Sequence, residues 1–181
     1  MSTNKLNDLK KEISNVPRKQ LETICLQLAK HKVENKDLLA YLLFDSDDPL
    51  EYARQIKIEL DQFFSISFPA KTNYNAAKLL RKAQKLITKY SKFTKSAAGE
   101  IDLMLHFSDL FLQNFSLRNH YHPLPLIYFR TISRLGKIMI KLHEDVLMDY
   151  LESYNKHANN ALQNMNHVEV ERFPIYIPEE F

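Results

Sequence analysis

The 181-residue chain carries 25 Lys and Arg against 22 Asp and Glu, a formal net charge of +3, with 45% apolar residues. That balance is globular rather than disordered, and the length suits one domain with a sizeable core. Glycine occurs only at Gly99 and Gly136 and cysteine only at Cys25, which excludes hairpin-rich sheets, glycine-dependent phosphate loops, internal disulfides and multi-cysteine zinc sites.

The apolar period is helical almost throughout. Leu6, Leu9 and Ile13 mark a first helix, ended by Asn15, Val16 and Pro17. Pro17 suits the first position of a second helix, whose stripe is Leu21, Ile24, Cys25 and Leu28. A third helix carries Leu38, Leu39, Leu42 and Leu43. Asp48 caps a fourth, with Pro49 next, Glu51 in the first turn, and Leu50, Ala53, Ile56, Leu60, Phe63 and Phe64 on the buried side. A linker over 65–72 precedes a fifth helix, which starts near Asn73 and turns Ala76, Leu79, Leu80, Ala83, Ile87 and Tyr90 inward. Ser96 caps a sixth, the most apolar, read as the central helix, with Met104, Phe107, Phe111 and Phe115 in the core. After a loop over 118–125, helical pattern runs from Pro125 to about Asn160 with a break near His143 to Asp145. The expectation is an all-α irregular bundle or short α-superhelix of seven to eight helices over residues 1–167, followed by an extended tail over 168–181 that packs back on the bundle or, as the second reading, docks on a partner.

The N-terminus is charged and amphipathic rather than a secretory signal, and no run reaches the ~20 apolar residues of a membrane span. A cytoplasmic protein is expected. The stretches LETICLQLAKHKVENKDLLAYLLF, IKIELDQFF, AAKLLRKAQKLITKY and EIDLMLHFSDLFLQNF together resemble a small bacterial all-helical family of unknown function, in apolar pattern and a few charged positions. The resemblance implies a bacterial helical protein and carries over no site residues.

Five features invite a functional reading. Asp45, Asp47 and Asp48 do not form a calcium loop, because Leu50 and Ile56 stand where such a loop needs Gly and Glu; they read as a helix cap. His120 and His122 could share a metal only with ligands that the sequence does not nominate. Cys25 lies on an apolar stripe and reads as a buried thiol. Asp102, His106, Asp109 and Gln113 recur at i, i+4, i+7 and i+11, a polar strip on the most apolar helix. The strip could orient an imidazole for acid–base work, but it reads first as a salt-bridge strip, with Arg130, Arg134, Lys137 and Lys141 offering partners. The charge asymmetry is stronger. No acid lies between Asp61 and Glu100, whereas segment 71–95 holds eight basic residues. Lys78, Arg81, Lys82, Lys85, Lys89 and Lys92 recur every three or four residues as an anion-binding candidate.

The sequence nominates no cofactor and no catalytic set. The function expected is a non-enzymatic helical module with a protein partner. Weak nucleic-acid or other polyanion binding through the basic segment 71–95 stands second, and an enzyme using Asp102, His106 and Asp109 third.

Overall fold

The computed structural model describes residues 6–67, 73–118 and 123–177. Among them are nine α-helices, one π-helical turn and no strand. By its contacts the chain divides into two compact units, Met1–Asp47 and Asp48–Phe181.

The first unit holds α1 (Leu6–Asn15), α2 (Arg18–His31), α3 (Val33–Ala40) and a π-helical turn, Tyr41–Asp45. Lys32, in extended conformation, turns α2 into α3, and the two pack as a helical hairpin. The Asn35 amide ties them together by donating to the Leu28 carbonyl at 2.9 Å. α1 packs little against either helix. No residue of α1, α2 or α3 is buried. Cys25 is accordingly half-buried, and Leu28, Leu38, Leu42 and Leu43 are exposed, contrary to their stripe positions. A unit this short has too little chain to enclose a core of its own.

The second unit is an irregular bundle of α4 (Pro49–Ser67), α5 (Asn73–Thr94), α6 (Ala97–Asn114), α7 (Pro123–Met139), α8 (Glu144–Asn164) and α9 (His167–Arg172). The expected caps form. Asp48 Oδ1 accepts from the backbone N–H groups of Leu50 and Glu51 at 3.0 and 2.9 Å, and Ser96 Oγ from that of Gly99 at 3.3 Å. α6 is central and packs against α4, α5, α7 and α8. Its Met104, Phe107 and Phe111 are fully enclosed, and Phe115 is partly so. Phe107 meets Phe64 edge-on at 6.0 Å, and Phe111 lies 5.2 Å from the Tyr128 ring. Leu50, at the mouth of α4, is exposed rather than buried.

Gly99 allows α5 and α6 to approach closely. A Cβ there would collide with the Tyr90 hydroxyl, which donates to the Pro49 carbonyl at 2.8 Å. The chain breaks between α7 and α8, with His143 as the residue before α8, where the sequence placed it. The ninth helix corrects the expected extension from 168. Asn166 and Glu169 form a reciprocal capping box, and α9 runs to Arg172. Among the described residues after α9, 173–177 are non-helical, and they pack back on the bundle. Phe173 is buried, Ser133 Oγ donates to the Pro174 carbonyl at 2.8 Å, and the Tyr154 hydroxyl donates to the Tyr176 carbonyl. Burial pushes the Tyr154 phenol up to about 12.

Candidate functional site

The polar strip of α6 is divided among neighbouring helices. Asp102 receives Lys57 Nζ of α4 at 2.6 Å, and His106 Nε2 lies 2.7 Å from Asp61 Oδ1, also on α4. Asp109 faces α8 instead, with His157 Nε2 at 3.3 Å and Lys156 Nζ at 3.9 Å. Gln113 is exposed. Asp102, His106 and Asp109 clasp α6 between α4 and α8, and the strip converges on no common point. The expected partner strip on α7 does not supply these contacts. Arg134 turns instead to Glu100, with Nη2 to Oε1 at 2.5 Å.

Two arrangements of polar groups were not singled out from the sequence. In the first, Tyr128, 0% exposed, places its hydroxyl 2.9 Å from Nδ1 of His157, 1% exposed, whose Nε2 faces Asp109. Asp109 can only accept, so Nε2–H donates to it and Nδ1 accepts from the Tyr128 hydroxyl. Neutral imidazole satisfies every group, and desolvation accordingly holds His157 below its ordinary pKa. Burial also raises the Tyr128 phenol. Both side chains are sealed within the packing of α7 and α8, so no substrate atom reaches them. The legible signal was position: His157 falls on the α8 stripe of Leu147, Leu151, Tyr154 and Ala161.

The second arrangement joins α5, α6 and α7. Glu100, buried at the start of α6, accepts from Ser91 Oγ and Arg134 Nη2, each at 2.5 Å. Arg134 Nη1 also donates to Thr88 Oγ1 at 3.3 Å. The Gln84 amide donates to Thr131 Oγ1 at 2.7 Å. A cavity of about 220 Å³ opens above this network, floored by Ile87 and Met104 and rimmed by Arg130 and Arg134.

The basic candidates of α5 do not form one uniform stripe. Lys78, Arg81, Lys82, Lys85 and Lys92 are exposed and Lys89 is half-buried. Lys82 Nζ lies 5.5 Å from the Phe63 ring centre, on α4, and Lys89 Nζ lies 5.6 Å from that of Phe93. Lys71, His120 and His122 lie outside the described residues. Among the described residues, no group of three or more His, Cys, Asp or Glu is placed to hold a metal, and no helix is long and apolar enough to cross a membrane.

In the first unit the hairpin of α2 and α3 carries two apolar grooves. One, about 290 Å³, is lined by Cys25, Leu28, Leu38 and Leu42. The other, about 400 Å³, is lined by Leu26, Ala29, Leu43 and Phe44, with Lys30 and Lys36 also on its wall. Ala29 and Leu39 belong to both.

No family model, no curated protein and no solved structure matches this chain.

Proposed function

We propose that the protein is a non-enzymatic helical interaction module whose first unit docks an amphipathic helix. The observation that carries this reading is the apolar surface of that unit. Leu26, Leu28, Leu42, Leu43 and Phe44 are exposed, Phe44 at 80%, around two apolar grooves. Apolar surface of this density marks a site that another element covers.

The helix that fits belongs to a second copy of the chain. α1 is ten residues long, packs little within its unit, and exposes Leu6, Leu9 and Ile13 along one face. A helix of that length is marginal in water until its apolar face is covered. Lys10 flanks one side of the stripe and Glu12 the other, and the Glu12 side complements Lys30 and Lys36 on the groove wall. Reciprocal insertion of α1 gives a closed two-fold dimer.

Sedimentation equilibrium tests this directly. The mass should rise to that of a dimer with concentration, and Leu9→Asp or Leu43→Asp should each hold the chain monomeric with unchanged helix content. A wild-type chain that stays monomeric at every concentration would overturn the reading, as would dimers indifferent to both substitutions.

A further inference from the structure

We propose that the cleft between α5 and α7 is a phosphate-binding site. Residues 62–99 contain no acid, and neither do residues 110–143. The fold packs the helices of these two segments together, so the acid-poor parts of the chain meet along one groove. The cavity of about 220 Å³ in that groove is lined by no carboxylate, and Glu100, next to it, is already bonded to Arg134 and Ser91.

The two arginines at the rim have distinct settings. Arg134 is held by Glu100 and Thr88, which fixes its guanidinium and leaves further N–H groups for a ligand. Arg130 is exposed, takes part in no ion pair among the described residues, and rests on the Phe173 ring at 5.7 Å. That contact, which Arg172 shares at 5.2 Å, restrains the guanidinium without neutralising it. Arginine forks so held bind phosphate oxygens in pairs. The Thr88 and Thr131 hydroxyls are already committed to the carbonyls of Gln84 and Ile127, so recognition falls to the arginines. Ile87 and Met104 close the cleft from below with apolar side chains.

The α5 cations extend the site. Arg81, Lys85 and Lys92 each lie three or four residues from Gln84 or Thr88, on the adjoining face. They span ~16 Å of helix at 1.5 Å per residue, enough for a short run of phosphates. Lys82 and Lys89, which lean on Phe63 and Phe93, are peripheral to it. The phosphate can thus belong to a free molecule or to a nucleic-acid strand, and the chemistry of the cleft is the same for both.

The test uses the full chain at low salt with four probes: inorganic phosphate, a nucleoside monophosphate, a single-stranded oligonucleotide and citrate. Binding is read by calorimetry, and by anisotropy for the strand. Saturable binding of at least one phosphate probe is expected, weakened tenfold or more by Arg130→Gln, partly restored by Arg130→Lys, and unaffected by Lys156→Gln on α8. Arg130 is exposed and in no ion pair among the described residues, so its replacement should leave the folded chain intact, checked by circular dichroism. If the ligand is a strand, the oligonucleotide binds tightest, with a log–log salt slope of about −2.8 for four contacted phosphates; if it is a free molecule, the monophosphate competes at equal strength. Either result supports the site. Absence of binding by all phosphate probes, equal binding by Arg130→Gln, or citrate binding as tightly as phosphate would overturn it.

Discussion

Replacing Tyr128 by Phe removes one oxygen from the interior and leaves the ring packing in place. Tyr128 and His157 are both enclosed, and the hydroxyl is the partner of His157 Nδ1 at 2.9 Å. Without it, Nδ1 becomes a buried acceptor with no donor, while Nε2 keeps Asp109 at 3.3 Å. An unsatisfied buried group of this kind costs about 1–3 kcal/mol, against about 1 kcal/mol for the net value of an ordinary hydrogen bond. His157→Leu should cost less than its burial suggests, because the Tyr128 hydroxyl retains the His157 backbone carbonyl at 3.3 Å. The double variant removes both polar partners, so its cost should fall below the sum of the single costs by about 0.5–3 kcal/mol. Urea denaturation followed by circular dichroism gives the three values, provided the slope is unchanged. A Tyr128→Phe midpoint equal to wild type, or strictly additive costs, would refute the buried-acceptor reasoning.

Three further outcomes follow from the same packing. Phe111→Ala should destabilise by about 3–5 kcal/mol, since the ring is fully enclosed between Phe115 and Tyr128 and its loss leaves a cavity; a denaturation midpoint near wild type would contradict this placement. Gly99→Ala should cost about 1–3 kcal/mol, because the new methyl displaces the Tyr90 hydroxyl from the Pro49 carbonyl, again read from the denaturant midpoint. The His157 imidazole is held below its ordinary value of 6.5 in the folded chain, so between that lowered value and about 6.5 the unfolded chain binds more protons. Its contribution is complete above about pH 6.5 and is lost as pH falls through this window. The stability difference between wild type and His157→Leu, measured against pH, should shift in that direction, and a shift of opposite sign would mean that Asp109 outweighs desolvation.

Much of the bundle was legible because its signals are local. The Asp48 and Ser96 caps, the break before α8 and the centrality of α6 follow from single residues or from one helix's apolar count. α9 was missed because Pro174 and Pro178 suggested extension, whereas the capping pair Asn166 and Glu169 starts a helix that ends before the first proline. The polar strip was legible as a set of residues but not as partners. Helical spacing says which side chains share a face, and nothing about which neighbour faces them. Thus Arg134 was assigned to the strip, whereas it serves Glu100, and His157 lay hidden on an apolar stripe. The stripes of the first unit were read as core because periodicity reports amphipathicity, not what covers the apolar side. The basic segment was visible in the sequence. Its meeting with α7 was not, since that pairing joins residues more than forty positions apart.

Hydrogen exchange of the α1 backbone, followed against protein concentration, tests the central claim most directly. An isolated ten-residue helix exchanges almost as an unfolded chain, whereas one seated in a groove is protected. Protection of residues 6–15 should rise with concentration in step with that of the α2 and α3 groove, and Leu43→Asp should abolish both. Exchange of α1 at the unfolded rate at every concentration, or protection independent of concentration, would contradict docking onto a second copy.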